Sequence, residues 1–254
     1  MCKNLERVTL PEGITQIGNY AFLACKLTSI NLPEGIESVG VYSFSQCNNL
    51  KHIRLPESLK TIRDNALRSW SNMRQLYIPK NVESIGVNCT ASDLNLVSLA
   101  VDKDNTHFVT PGGSNVIIEK TSGKLLMGCS TSKIPSIVKT IGEGAFYNLK
   151  MEEIEIPSSV ESIEKWAFMY CQQLKSVISK VVTPFEFGED AFGNIGSNCV
   201  LTVPEGTKDA YIAAGWTEDI FKGGIVEASE YDANGDGRTT IVDVTRLVDK
   251  IIGK

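Results

Sequence analysis

The chain has 254 residues, 42% hydrophobic and 22% charged, with a mean hydropathy near zero, which fits a globular chain and excludes wholesale disorder, collagen-like sequence and a polytopic membrane protein. Its 25 Lys and Arg against 30 Asp and Glu give a net charge of -5, the wrong sign for an electrostatic nucleic-acid binder. No apolar run approaches the roughly 20 residues of a membrane span, and the first residues lack the basic stretch and apolar core of a secretory leader.

From the N-terminus onward the chain repeats itself. Segments beginning at Cys2, Cys25 and Cys47 share two spaced apolar residues, then Leu-Pro, then two more spaced apolar residues. Anchoring each unit on the residue after its second apolar run gives Pro11, Pro33, Pro56, Pro79, Asp102, Pro135, Pro157, Lys180 and Pro204, spaced by 22, 23, 23, 23, 33, 22, 23 and 24 residues. Units this short cannot bury a hydrophobic face alone, so the spacing predicts a solenoid of about nine coils over residues 1–228.

Position in the repeat predicts position in space. One and three residues before the anchor stand pairs such as Leu55/Ile53, Ile78/Leu76 and Ile156/Ile154, a period of two that marks a strand with those side chains inward. Three and six residues after it stand Ile36/Val39, Leu59/Ile62 and Val160/Ile163, a second inward segment. Farther along, Ala21-Phe22, Ser43-Phe44, Ala145-Phe146, Ala167-Phe168 and Ala191-Phe192 are expected to stack as an aromatic ladder. About seven apolar side chains per coil, at roughly 1.5–3 kcal/mol each before ordering entropy, make coil stacking the main stabilising interaction. Pro at the anchor donates no backbone hydrogen bond and so ends the strand.

Four and two residues before the anchor the side chains are expected to face outward across a concave parallel sheet about 40 Å long, if nine strands lie about 4.8 Å apart. In order they are Arg7/Thr9, Ser29/Asn31, His52/Arg54, Gln75/Tyr77, Ser98/Ala100, Thr131/Lys133, Glu153/Glu155, Ser176/Ile178 and Val200/Thr202. His52, Arg54, Gln75 and Tyr77 form the candidate contact patch for a protein ligand, since Tyr and Arg are enriched at binding hot spots; the alternative is a merely solvated face. The fifth unit carries about ten extra residues, in which Asn115–Glu119, a turn at Thr121–Gly123 and Lys124–Met127 read as a hairpin projecting from the coil, as a binding face or as decoration. Cys2, Cys25, Cys47 and Cys171 recur at one repeat position and read as small buried hydrophobes rather than nucleophiles. His52 and His107 are the only histidines and neither sits in a catalytic pattern, so the chain reads as a non-enzyme. Residue 1 falls inside a repeat, which leaves Leu5 to Leu10 as a bare edge and suggests a longer native protein.

The pattern Cys-x-x-Leu-x-x-Ile-x-Leu-Pro-x-x-Ile-x-x-Ile-Gly-x-x-Ala-Phe resembles the BspA-like leucine-rich repeat family of bacterial surface proteins, across residues 1–228. The stretch from Cys199 to Gly206, followed by Tyr211 and Gly215-Trp216, resembles the end of such arrays. That resemblance implies an α/β leucine-rich repeat fold, a secreted or cell-surface location in a bacterium, and a protein partner such as a host matrix protein.

After Ala228 the period stops. Residues 229–254 contain a twelve-residue pattern suited to calcium: Asp232, Asn234 and Asp236 offer oxygen ligands at positions 1, 3 and 5, and Gly237 allows the turn. Arg238 would supply its carbonyl, Thr240 would act through a water, and Asp243 would close the loop; a metal-free Asp/Asn/Gly turn is the alternative. Val244, Leu247, Val248 and Ile251 follow at helical spacing and form one apolar face. On Asp232, Asn234, Asp236, Gly237, Asp243 and Leu247 the segment resembles half of a dockerin, which implies calcium binding and a cohesin-like partner, though dockerins usually carry two such segments.

Overall fold

A computed structural model describes residues 3–228. In chain order the strands are β1 (Gln16–Ile17), β2 (Ser38–Val39), β3 (Thr61–Ile62), β4 (Gln75–Ile78), β5 (Ser84–Ile85), β6 (Ser98–Val101), β7 (Phe108–Val109), β8 (Val116–Glu119), β9 (Lys124–Gly128), β10 (Thr140–Ile141), β11 (Glu153–Ile156), β12 (Ser162–Ile163), β13 (Ser176–Ser179), β14 (Val200–Val203) and β15 (Ile225–Glu227). The helix α1 (Lys208–Ala213) lies between the last two. Helix is confined to these six residues among those described, so the fold is a β-solenoid and the expected α/β class is corrected. Each coil spends its residues on extended runs and turns, and a period of 22 to 24 residues leaves no room for a helix of ordinary length.

The front of the solenoid carries strands of three or four residues. β4 pairs in parallel with β6, and β11, β13, β14 and β15 form a second parallel ladder. The expected unbroken concave sheet of nine strands is therefore two ladders: the front runs of the first three coils, His52 and Arg54 included, form no strand, and a further interruption falls at Thr131–Lys133. There side chains add to a single backbone bond: Thr131 Oγ1 donates to the Val97 carbonyl at 2.7 Å, and the Leu96 carbonyl accepts from both Ser130 N–H at 3.3 Å and Ser130 Oγ at 3.1 Å. The back carries the second inward segment of each coil as two-residue strands, β1, β2, β3 and β5 in one parallel sheet and β10 and β12 in another. Among the inward set, Ile53, Leu55, Leu76, Ile78, Ile36, Val39, Leu59 and Ile62 are all buried.

A third hydrogen-bonded side closes the coil at the Phe corner. Tyr20, Phe22 and Ala24 donate their N–H groups to the carbonyls of Val41, Ser43 and Ser45 at 2.7 to 2.8 Å, and the same alternation recurs down the stack. Each such turn holds two left-handed residues four apart, as in Tyr20 and Ala24 (φ 59° and 57°) or Tyr42 and Gln46 (52° and 60°). Left-handed backbone costs a non-glycine residue about 1–2 kcal/mol. The ordered N–H bonds to the next coil and the buried Phe between the two residues offset it.

The aromatic ladder forms in two runs. Phe22 stacks on Phe44 at 5.2 Å, and Phe146, Phe168 and Phe192 stack in series at 5.0 Å. Cys47 and Cys171 lie beside them and donate their thiol hydrogens to the carbonyls of Phe22 and Phe146. Tyr211, Trp216 and Phe221, all buried, cover the last coil, and the Tyr211 hydroxyl donates to the Val181 carbonyl at 2.7 Å.

The insertion in the fifth unit does not project. β7, β8 and β9 form an antiparallel meander whose last strand pairs in parallel with β10, so it continues the back sheet. Val116, Ile117 and Ile118 are fully buried, with Ile117 and Met127 in the core of the first coils and Val116, Ile118 and Leu125 in the core of the later ones. The meander is a layer between two cores, apolar on both faces. The Phe corner passes behind it directly from the fourth coil to the sixth, through Ser92 N–H to the Tyr147 carbonyl at 3.0 Å.

Candidate binding surface

His52 and Arg54 lie on the extended run before Pro56, and Gln75 and Tyr77 on the next coil in β4, all four with exposed side chains on the front. The four expected contact residues line one open groove of about 480 Å³. Its floor and rim are completed by Ile53, Leu55, Glu57, Leu76, Ser98 and Ala100. The alternation of the strand explains the arrangement: Leu76 and Ile78 are buried, and their neighbours Gln75 and Tyr77 must point the other way.

Tyr77 is fixed from outside the groove. Its hydroxyl donates to Asp102 Oδ2 at 2.5 Å, and Asp102 also accepts the Asp104 N–H at 2.8 Å. The hydrogen bond to Asp102 pushes the Tyr77 phenol up to about 12 and holds the Asp102 carboxyl below its usual range. Half of the Tyr77 side chain is still available to a ligand, at 49% exposure. Arg54 enters none of the ion pairs among the described residues, so its guanidinium can take a planar acidic partner. Asp102 was missed as a contributor by sequence reasoning, although it is one of two anchors among nine that are not Pro.

At the interruption a second front groove of about 410 Å³ is lined by Ser130, Thr131, Ser132, Lys133, Ile134, Glu153, Ile154 and Glu155. The front face thus passes from Arg54 and His52 at one groove to Glu153 and Glu155 at the other. The outward register fails in the last coils: Ile178 and Thr202 are buried.

His107 Nδ1 lies 3.1 Å from Thr106 Oγ1, and His52 lies on the open face. Burial pushes the thiols of Cys47, Cys89, Cys171 and Cys199 up to about 12, which leaves almost no thiolate at neutral pH. No group of three or more His, Cys, Asp or Glu suited to a metal occurs among the described residues, and no helix there is long and apolar enough to cross a membrane. Asp232, Asn234, Asp236, Arg238, Thr240 and Asp243, the expected calcium ligands, lie outside the described residues, as does the whole 229–254 segment.

Comparison with known proteins bears on the fold. No curated protein matches the chain. Among solved structures, a leucine-rich cell surface protein from Faecalibacterium prausnitzii A2-165 superposes with a TM-score of 0.60 at 24% identity, over 89% of this chain and 66% of that one. The chain therefore spans just under two thirds of that protein. The pneumococcal vaccine antigen PcpA superposes with a TM-score of 0.54 at 19% identity, over 83% of this chain and 72% of that one. The BspA type leucine-rich repeat region matches in six copies over residues 1–110 and 119–212, and the chain belongs to that family.

Proposed function

We propose that this chain is a non-catalytic interaction protein of a bacterial surface, secreted or cell-attached, which holds a protein partner in the front groove at His52, Arg54, Gln75 and Tyr77. The observation that carries this reading is the convergence on one groove of Arg54, in no ion pair among the described residues, and Tyr77, braced by Asp102. Tyr77 is already held in place by Asp102 and loses little freedom on binding, so more of its contact energy becomes affinity. The surface location draws on the family and on the neighbouring cell surface protein. Binding of the parent and of an Arg54→Ala, Tyr77→Ala variant to a panel of immobilised extracellular-matrix proteins tests it. Loss of at least about tenfold in affinity is expected, about 1.4 kcal/mol, and equal binding would remove the patch assignment.

The second part of the proposal concerns residues 229–254, which carry calcium on Asp232, Asn234, Asp236, the Arg238 carbonyl, Thr240 and Asp243, and serve as a docking segment. The support is the register of ligand types with Gly237 at the sixth position. Under the alternative reading, the solenoid is a spacer and this segment meets a cohesin-like partner. Calorimetric titration of calcium into the chain and into an Asp232→Ala, Asp236→Ala variant separates the cases: binding confined to the parent supports the segment, and no binding by either removes it.

A further inference from the structure

Two residues on the front face are buried against expectation. Ile178 and Thr202 occupy the same repeat position as Tyr77 and Glu155, which are exposed, yet they are only 6% and 2% exposed. Ile178 belongs to neither of the two hydrophobic cores. The ladder aligns Ile178 with Thr202 and Thr202 with Val226, so the three form one file across β13, β14 and β15. The neighbouring file runs through Ser176 and Val200. From β13 onward the outward positions of the front face carry no charge, immediately after Glu153 and Glu155 on β11.

We infer that this uncharged end of the front face is the docking site of the chain's own C-terminal segment, through the apolar side chains Val244, Leu247, Val248 and Ile251. The dimensions agree. Two strand spacings separate Ile178 from Val226, about 10 Å. Val244 and Ile251 are seven residues apart, again about 10 Å along a helix. The chain arrives in the right place, because Ala228 N–H bonds the Val203 carbonyl at 2.8 Å, one residue from Thr202 along β14. The residues between Ala228 and Val244 can reach about 50 Å when extended, several times the distance needed. Complementarity is also local: an apolar helical face docked one coil earlier would lie on the Glu155 carboxylate and remove it from water without a partner. Placement of this face on the solenoid does not depend on calcium, and its failure would leave the groove at Arg54 and Tyr77 untouched.

The test uses thiol labelling of the full chain in a Cys2→Ser background, where the other native cysteines are buried. An Ile178→Cys variant is compared with Asn31→Cys, an exposed position on the same face. The inference expects Ile178→Cys to react about a hundredfold more slowly with a maleimide reagent, and Leu247→Asp with Ile251→Asp to bring its rate close to that of Asn31→Cys. Circular dichroism and the melting profile check that the solenoid persists in that variant. A Thr202→Cys, Val248→Cys pair should form a disulfide within a monomer on oxidation. Fast labelling of Ile178→Cys in the full chain overturns the inference, as does protection that survives the two Asp substitutions. Protection that grows with protein concentration, or a disulfide-linked dimer, assigns the cover to a second copy and equally overturns it.

Discussion

Tyr77 donates its hydroxyl proton to Asp102 Oδ2 at 2.5 Å, linking the side chain that lines the groove to the anchor position of the next coil. In a solenoid every residue has its counterpart about 23 residues away as a spatial neighbour, so such a bond sets the orientation of one coil's surface by the sequence of the next.

Asp102→Asn removes the charge that holds the Tyr77 proton. The phenol should then fall from about 12 toward the ordinary tyrosine range, visible as an earlier step in the ultraviolet titration of the variant against the parent. Superimposable titration curves would show that Asp102 does not govern Tyr77.

Asp93 stands at the repeat position that Cys47 and Cys171 fill in other coils, fully buried, with Oδ1 accepting the Trp70 N–H at 2.6 Å and Oδ2 without a partner. Burial raises its carboxyl well above the usual range, opposed by the hydrogen bonds from Trp70 and Ser69. A raised folded-state value means that the folded chain binds the proton more tightly than the unfolded one. Its contribution to stability is therefore fully present below the unfolded value near 3.9 and is lost as pH rises through the folded value. Asp93→Asn keeps an acceptor for Trp70 and cannot ionise. Urea unfolding of both chains from pH 4 to pH 7 should show the variant gaining on the parent as pH rises, and parallel curves would contradict the burial argument.

Gly128 ends β9 where a Cβ would run into the Phe146 ring. Gly128→Ala should cost about 1–3 kcal/mol through overpacking. Much of that cost should vanish when Phe146 is also replaced by Leu, and a double-mutant cycle by urea denaturation measures the coupling.

Phe168 lies between Phe146 and Phe192 and is fully buried, so Phe168→Ala should cost about 3–5 kcal/mol. Tyr20 stacks on Tyr42 but is 52% exposed, so Tyr20→Ala should cost about 1 kcal/mol or less. Thermal and urea unfolding distinguish the two; similar losses would mean that the interior ladder is not what stabilises the coil.

These residues also mark how much of the molecule its sequence made legible. The anchors, the inward apolar sets and the Phe positions were readable because each repeats with its period, and the outward file alone puts His52, Arg54, Gln75 and Tyr77 on one face. The Phe corner was readable only in part: Asn65, Asn88, Asn148, Asp190 and Asn194 are types that tolerate left-handed backbone, but Tyr20, Ala24, Tyr42 and Gln46 are not, and neighbouring coils impose it there. The meander's burial was written in Val116, Ile117 and Ile118, a continuous apolar run where an exposed hairpin would alternate with polar residues. Asp93 and Asp102 were visible only as departures from the repeat, and a departure does not show which partner accounts for it. Ile178 and Thr202 break the outward rule, and nothing in the repeat pattern distinguishes them from the exposed Tyr77 and Glu155.

The most direct test of the account is an alanine series along the front face, read as affinity for one partner captured from the matrix-protein panel. Arg54, Gln75 and Tyr77 should each lose binding on substitution, with Tyr77 and Arg54 the largest at about 2 kcal/mol, and Ser29, Asn31, Glu153 and Glu155 should change little. Losses spread evenly along the face, or concentrated at Glu153 and Glu155, would contradict the assignment of the groove.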